Sequence, residues 1–274
     1  MNPPVCKLTQ GTIALVVSIP HGGELLPDAF AAQMQDVARV RADTDWHLGR
    51  LYAFATTLGA SVVAANYSRY VIDVNRPANG ESLYPGQNTT ALCPRDTFLG
   101  EPLYPDPEAP SSAEVADRIR DYWNPYHSTL AAEIARLRQL HGHVLLWEAH
   151  SIASVLPRLF AGRLPDLNIG TNSGASCAPA LREAVIAAAS ASPFSWVADE
   201  RFRGGHITRH YGQPQRGVHA VQLEMAQAIY MDEAAPFGYR EDLAARLWPT
   251  LRDMVERTLA ATATLPPVAA DAQA

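Results

Sequence analysis

The 274-residue sequence has three cysteines, no long apolar run and no excess of basic charge. Cys6, Cys93 and Cys177 are widely separated, which argues against both a disulfide framework and a CxxC metal site. The longest apolar stretches have the length of a strand, and the N-terminus MNPPVCKLTQ lacks the apolar segment of a signal peptide. The net charge of −6 argues against nucleic-acid binding, which needs a basic face. These absences predict a cytoplasmic protein that binds neither nucleic acid nor membranes.

The pattern of hydrophobic residues predicts the fold class. Hydrophobic residues make up 47% of the chain and charged residues 18%, which is typical of a globular protein. Short β-rich runs alternate with amphipathic stretches of helical period, and this alternation favours an α/β fold. We expect a mixed, mainly parallel central sheet flanked by helices, with strands at Thr12–Ile19, Ser61–Asn66, Tyr70–Val74, His143–Glu148 and His219–Leu223.

Two helical regions and a single domain are also expected. Apolar residues recur at helical spacing from Asp45 to Thr57, and Gly59 is the stop signal. A second helical region, Ser112–Leu140, contains Pro125, which should kink it because proline has no amide hydrogen to donate. Residues 1–259 should form one α/β domain with a proline- and glycine-rich surface insertion at about 77–110, and residues 260–274 a disordered tail.

Polar residues follow the expected strands at the points where those strands end. The stretch SIPHGGELLP places a histidine, two glycines and a glutamate directly after the first strand. Because ligands of open α/β sheets bind beyond the carboxyl ends of the strands, these polar residues should meet at one edge. The side chains expected there are His21 and Glu24, then Asp73, Asn75 and Arg76, then Glu148 and His150, and finally Gln222 and Glu224.

Two histidines, a carboxylate and an open position form the usual coordination sphere of catalytic zinc. His21, His150 and Glu24 would supply such a set for one ion, zinc or another divalent metal. A second carboxylate must then accept a proton from water and pass it to the leaving amine. Glu224 is the candidate for this role, and the alternative is a strand-end glutamate that pairs with an arginine.

Arginines and a glycine-bounded stretch supply candidates for substrate binding. The planar guanidinium of Arg76 suits bidentate recognition of a carboxylate, and an ion pair with Asp73 or Asp45 is the alternative. The stretch GGHITRHYG, residues 204–212, predicts a loop folded over a ligand. Its candidate binding residues are Arg209, His206, His210 and Tyr211, for which plain surface exposure is the alternative.

Specific strings across residues 12–250 resemble the N-formylglutamate deformylase family. The strings are SIPHGG, DTDWHLGRLYAFA, SRYVIDVNRP, LYPG, LWEAHSI, PRLFAGRLPDLNIGTN, GGHITRHYGQP and GVHAVQLEMAQ. More distantly, the chain resembles the aspartoacylase and succinylglutamate desuccinylase families, whose skeleton is HGxE, DxNR, a later histidine and a final glutamate. Both resemblances imply the α/β fold of the zinc carboxypeptidase superfamily.

The resemblance also implies an activity and a small-molecule dicarboxylate partner. It implies a zinc-dependent amidohydrolase that cleaves N-formyl-L-glutamate to L-glutamate and formate in histidine breakdown. The alternatives are a hydrolase of the same mechanism acting on another N-acyl amino acid or a peptide C-terminus, and a non-catalytic binding protein. The latter is disfavoured by Glu224, because a pure binder needs no proton shuttle.

Particular residues acquire expected roles through the resemblance. The metal ligands would be His21, His150 and one carboxylate, for which the skeleton indicates Glu24 and the deformylase pattern favours Asp45. Asp43 is a weaker third candidate, expected instead to cap a helix. Asn75 with Arg76 would hold one substrate carboxylate and Arg209 the other, while Arg69 would lie beside the scissile carbonyl.

Overall fold

A computed structural model describes residues 3–83, 86 and 89–268 of the chain. Seven strands of this part of the chain form one sheet, and their bounds follow in chain order: β1 Cys6–Thr9, β2 Leu15–Ile19, β3 Ser61–Ala65, β4 Val144–Ile152, β5 Leu167–Gly170, β6 Trp196–Ala198 and β7 Val218–Ala226. The spatial order is β1-β3-β2-β4-β7-β5-β6. Pairing is antiparallel for β1 with β3 and for β5 with β7, and parallel elsewhere. The mixed, mainly parallel α/β sheet predicted from the sequence is therefore confirmed.

Nine α-helices of the described chain surround or connect these strands. In chain order they are α1 Asp28–Ala31, α2 Val37–Val40, α3 Leu48–Leu51, α4 Ala53–Leu58, α5 Ser112–Arg118, α6 Asn124–His141, α7 Pro179–Ser190, α8 His206–Tyr211 and α9 Glu241–Thr262. No helix of the described residues is long and apolar enough to cross a membrane.

Local sequence signals account for several helix ends. Gly59 ends α4 in the left-handed conformation at φ 93°, as the stop signal predicts. Ser111 and Glu114 form a reciprocal capping box that starts α5. Pro125 lies in the first turn of α6, directly after a π-helical turn at Ile119–Trp123 that connects α5 to α6. The break expected at Pro125 thus takes the form of this π-helical turn.

The expected strand at Tyr70–Val74 is wrong. Val71 closes a turn through its amide to the carbonyl of Ser68, and no strand of the described sheet includes these residues. Their apolar side chains are buried in two hydrophobic clusters, although their backbone pairs with no strand. This burial explains why the sequence pattern resembles that of a strand. Strands β1, β5 and β6 were not expected, since each spans four residues or fewer and gives little periodic signal.

Side chains that alternate along β4 divide the core into two layers. Leu145 and Trp147 face the cluster formed with α7 and α9, whereas Val144 and Leu146 face the cluster formed with α6. The same alternation places Glu148 and His150 on the α6 side, beyond the apolar residues. One face of the sheet is therefore apolar at its amino end and polar at its carboxyl end.

Two further segments bear on the expected organisation of the chain. Within the expected insertion, Leu103 and Tyr104 are buried against Tyr70, so this described part packs on the domain. Helix α9 continues to Thr262, three residues into the expected disordered tail. Residues 269–274 of that tail, and residues 84, 85, 87 and 88, lie outside the described part of the chain.

Candidate active site

His21 and Asp45 are brought together by the turn that follows β2. The amide of Asp45 donates to the carbonyl oxygen of His21 at 3.1 Å. Gly23 lets the same turn lie close to the segment that follows β3, because a Cβ there would lie 2.3 Å from the carbonyl oxygen of Tyr67. The glycines of SIPHGG therefore allow a close approach of two backbone segments beside His21.

The group of His21, Asp45 and His150 has the donor atoms of a metal site. All three side chains are buried, and one ligand atom from each lies within 4.8 Å of the others. The Oδ2 atom of Asp45 lies 3.2 Å from Nδ1 of His150 and 3.7 Å from Nδ1 of His21. Two imidazoles and a carboxylate match the ligand set of a catalytic zinc or a similar divalent ion.

Each of these histidines has a carboxylate partner at Nε2, on the side of the ring away from Asp45. Asp73 Oδ1 lies 2.7 Å from Nε2 of His21, and Glu148 Oε1 lies 3.0 Å from Nε2 of His150. With Nε2 engaged, both rings direct Nδ1 toward Asp45. Metal-bound histidines usually have such a carboxylate partner, which fixes the ring and increases its basicity.

The protonation of this group also fits a cation site. Asp45 Oδ1 accepts no hydrogen bond from the described residues, although it is buried. Burial acts to raise the pKa of Asp45, but hydrogen bonds from His150 and His21 outweigh it and hold that pKa below its ordinary value. Burial likewise acts to lower the pKa of His150, yet Asp45 and Glu148 raise it to about 10. A metal ion bound here must therefore displace a proton.

The two other carboxylates considered as ligands lie apart from this group. Glu24 is exposed and does not belong to it, so of the two alternatives only Asp45 lies with the histidines in the described chain. Asp43 is buried, and its Oδ2 accepts the amide of Phe98 at 2.9 Å. The expected capping role of Asp43 is wrong, because the residue before α3 is His47, with no side-chain cap.

Arg69 is buried in contact with Asp73, the carboxylate that holds His21. It donates to Oδ2 of Asp73 at 2.7 Å and lies 3.6 Å from Oδ1 of Asp45. These carboxylates outweigh the effect of burial and raise the pKa of Arg69 above its ordinary value. Arg69 therefore stays charged and lies between the carboxylates of Asp73 and Asp45.

Arg76 is partly exposed at the pocket wall. Its Nε and one terminal nitrogen donate to the backbone carbonyl oxygen and the hydroxyl of Thr90, at 3.1 and 3.0 Å. The other terminal nitrogen lies 3.8 Å from Oδ2 of Asp73, which is the ion pair considered as an alternative. Arg76 thus enters the pocket with its plane already fixed by Thr90.

Glu224 lies beside His150 in the register of the two central parallel strands. It is 8% exposed, and burial raises its pKa to about 8, with the charge of His150 acting in the opposite direction. The alternative was a glutamate paired with an arginine. Among the described residues, Glu224 has no ion-pair partner within 4 Å. Glu224 therefore lines the pocket as a protonatable group next to a candidate ligand.

Asn75 connects the site to α8. Its side-chain nitrogen lies 3.1 Å from Nε2 of His150, while its side-chain oxygen accepts the amide of Ile207 at 2.9 Å. Gly205 allows this contact, since a Cβ there would lie 2.3 Å from the Asn75 nitrogen. Gln222 of β7 accepts the amide of Gly205 at 2.7 Å, so Gly205 is held between Asn75 and β7.

The predicted binding residues of GGHITRHYG lie away from the pocket among the described residues. The stretch forms α8 rather than a loop, and the side chains of His206 and Tyr211 contact His127 of α6. Tyr211 bonds to Nδ1 of His127 at 2.9 Å, and His206 packs against His127 and His210. Arg209 donates to the carbonyl oxygens of Gly204 and Leu83.

One pocket contains both the candidate metal group and the candidate base. Besides His21, Asp45, His150 and Glu224, its wall includes Arg69, Asn75, Arg76, Phe98, Ile152, Leu159, Arg201, Phe202 and Gln222. Sequence reasoning missed Arg201, although it precedes the glycine pair that marks the site. Glu148 and Gln222 were noted only as neighbours of the candidate residues.

Comparison with known proteins gives concordant matches. The chain is 52% identical over 259 residues to the N-formylglutamate deformylase of Pseudomonas aeruginosa. The aligned region covers 93% of this chain and 96% of that protein. It is 50% identical over 257 residues to the N-formylglutamate deformylase of Pseudomonas putida, with the same coverage.

Solved structures show the same fold. The crystal structure of N-formylglutamate amidohydrolase from Ralstonia eutropha JMP134 superposes with a TM-score of 0.79, at 22% identity over 96% of this chain and 98% of that one. A gene product of Agrobacterium tumefaciens has a TM-score of 0.72, at 18% identity over 94% and 96% of the two chains. The N-formylglutamate amidohydrolase family itself matches residues 13–231, so the chain belongs to the N-formylglutamate amidohydrolase family.

Proposed function

We propose that this chain hydrolyses N-formyl-L-glutamate to L-glutamate and formate with a bound divalent metal ion, zinc in the first instance. The observation that carries the proposal is the buried group of His21, Asp45 and His150 beside Glu224 in an arginine-lined pocket. Family membership supports the substrate, since relatives of about half identity are N-formylglutamate deformylases. The proposal places the reaction in histidine degradation, where N-formyl-L-glutamate is cleaved.

The proposed metal ligands are His21, Asp45 and His150. A divalent ion held by them would supply Lewis-acid chemistry for the formyl carbonyl and for the activation of water. Asp73 and Glu148 hold the two imidazoles in orientation through Nε2. Arg69, which lines the same pocket, is proposed to stabilise the negative charge that develops on the carbonyl oxygen.

Glu224 is proposed as the general base and acid. It would accept a proton from the attacking water and deliver it to the amide nitrogen as glutamate leaves. Burial raises the pKa of Glu224 to about 8, and the positive charges of His150 and Arg69 lower it. A carboxylate whose pKa lies close to neutral can perform both proton transfers, since general catalysis is most efficient near the working pH.

Arg76 is proposed to bind one carboxylate of the substrate. Its guanidinium is held by Thr90 at the pocket wall, so little conformational freedom is lost on binding. Asn75, which lines the same pocket and accepts the amide of Ile207 at the start of α8, is proposed to bind this carboxylate together with Arg76. A substrate with two carboxylates fits a pocket with several guanidinium groups better than a neutral N-acyl amino acid does.

Formate release from the purified chain tests the proposal. We expect activity with N-formyl-L-glutamate, its loss after chelation and its return when zinc is added. The alternative hydrolases predict higher kcat/KM for another N-acyl glutamate, an N-acyl aspartate or a peptide C-terminus in the same panel. A chain that binds these compounds without releasing any acyl group, whatever the metal, would support the non-catalytic alternative and contradict the proposal.

A further inference from the structure

Arg201 brings a guanidinium into the pocket from a segment outside the predicted motifs. It lies on the connection between β6 and α8, and its Nε donates to the carbonyl oxygen of Leu159 at 3.0 Å. Arg201 therefore lines the same space as the candidate base, with its guanidinium anchored to the backbone.

The pocket wall around Arg201 is apolar. Phe98, Ile152, Leu159 and Phe202 line the pocket and belong to one hydrophobic cluster with the segments around them. Apolar surroundings lower the local dielectric, so the attraction between a cation and a bound anion is stronger there than in water. This wall favours a substrate with an aliphatic chain that ends in a carboxylate.

The three arginines of the described pocket wall have different surroundings. Arg69 lies against Asp73 and Asp45, which balance its charge. Arg76 lies 3.8 Å from Asp73 and is bonded to Thr90. Arg201 lies with its guanidinium 5.2 Å from the ring of Phe202, and its Nε donates to the carbonyl oxygen of Leu159.

We propose that Arg201 binds the substrate carboxylate farther from the scissile amide and makes the pocket selective for N-acyl derivatives of acidic amino acids. The inference rests on the proposed function for the reaction and extends it to the side chain of the substrate. With the amide at the candidate metal group and one carboxylate at Arg76, Arg201 supplies a further cation in the described pocket wall, beside Leu159 and Phe202. Arg209, predicted for this role, lies outside the described pocket wall and donates to Gly204 and Leu83.

The test compares N-formyl-L-glutamate with its neutral isostere N-formyl-L-glutamine. We expect the unmodified chain to prefer the glutamate derivative by about 100-fold or more in kcat/KM, since the binding group is matched to a charged partner. Arg201→Gln should lower kcat/KM for N-formyl-L-glutamate by about 100-fold and change the value for N-formyl-L-glutamine by less than about threefold. Arg201→Lys should retain part of the preference, because it keeps the charge without the planar fork.

Two other variants serve as matched controls. Arg203→Gln removes an exposed arginine two residues away, outside the described pocket wall, and should leave the preference unchanged. Arg209→Gln tests the residue that the sequence favoured. Loss of the preference in Arg209→Gln, with the preference retained in Arg201→Gln, would overturn the inference.

A binding measurement separates this inference from the proposed function. Calorimetry with L-glutamate and L-glutamine should show that the unmodified, zinc-loaded chain prefers L-glutamate and that Arg201→Gln does not. If the chain releases no formate but this binding pattern holds, the proposed reaction is wrong and the assignment of Arg201 stands. If formate is released and Arg201→Gln keeps the preference in both assays, the proposed reaction stands and the assignment is wrong.

Discussion

Asp73 bonds to His21 through one carboxylate oxygen and to Arg69 through the other, each at 2.7 Å. The amide of Asn75 donates to the same oxygen as His21, so the DVNR turn is closed around this carboxylate. A single buried side chain thus sets the ring of a candidate metal ligand and the guanidinium beside it. In the proposed function, Asp73 positions a metal ligand and does not itself bind the ion.

Asp73→Asn should therefore weaken metal binding without removing a ligand. Asparagine keeps an oxygen near His21 but loses the negative charge, and loss of such an outer partner typically reduces metal affinity about 10- to 100-fold. Zinc titration with a competing chelator measures the change, with melting temperature as the check on folding. Glu133→Gln, which changes a buried carboxylate paired with Arg136 on α6, is the matched control and should leave zinc affinity unchanged. Equal zinc affinity in Asp73→Asn and the unmodified chain would contradict the positioning role.

The two carboxylates that the sequence left open as ligands give a direct comparison. Asp45 lies 3.2 Å from Nδ1 of His150, whereas Glu24 is exposed outside the group. We expect Asp45→Asn to lose most of its zinc and to lower kcat/KM by at least about 100-fold, because a neutral amide is a poor ligand for a divalent cation. Glu24→Gln should keep zinc and activity within about twofold. Metal analysis of both proteins, purified side by side, decides between them, and loss of zinc in Glu24→Gln alone would reverse the assignment.

The sequence predicted the two central strands better than it predicted the rest of the sheet. His150 and Glu224 follow long apolar runs, and because β4 and β7 are central and buried, their pattern is unambiguous. Tyr70–Val74 has the same composition without a partner strand, and composition alone cannot distinguish sheet pairing from packing in an adjacent cluster. The helix α8 was missed because it has six residues and is preceded by two glycines.

Which of Arg201 and Arg209 lines the pocket could not be predicted from the sequence. Both lie near the Gly204–Gly205 pair in the chain, and the sequence gives no measure of which one faces the ligand. Helix formation turns Arg209 back onto the carbonyl oxygen of Gly204, while the irregular segment before the glycines places Arg201 at the pocket. The side of a short helix that a residue occupies depends on contacts with α6, which lies far away in the chain.

Glu224 distinguishes a hydrolase from a binding protein. Glutamine at this position keeps the size of the side chain but cannot accept a proton, and it leaves His21, Asp45 and His150 unchanged. We expect Glu224→Gln to bind zinc and substrate nearly normally while kcat falls by at least about 100-fold. A purely structural role would instead lower the melting temperature and leave the turnover of the folded fraction unchanged. Zinc content, melting temperature and kcat on one preparation separate the two outcomes.

A histidine pair at the opposite end of the sheet gives a prediction for stability. The Nδ1 atom of His219 accepts the amide of Ala178 at 3.2 Å, so neutral His219 carries its proton on Nε2 and donates to Nδ1 of His143 at 2.9 Å. His143 in turn donates from Nε2 to the carbonyl oxygen of Pro266 at 2.8 Å. This chain of bonds requires both histidines to be neutral, and it ties the segment after α9 to the sheet.

Acid should therefore weaken the fold through His219. Burial lowers the pKa of His219 from 6.5 to about 4. Between those two values the unfolded chain binds a proton at His219 that the folded chain does not, so stability falls as the pH decreases through this window. The stability advantage of the unmodified chain over His219→Gln should then be largest at pH 7 and smaller at pH 4.5, with each kcal/mol lost corresponding to roughly 2–4 °C in melting temperature. Thermal unfolding of both proteins is measured from pH 7 to 4.5. The difference between their melting temperatures at each pH removes the contribution of titratable groups that both proteins contain. A difference that stays constant from pH 7 to 4.5 would show that His219 titrates alike in the folded and unfolded states.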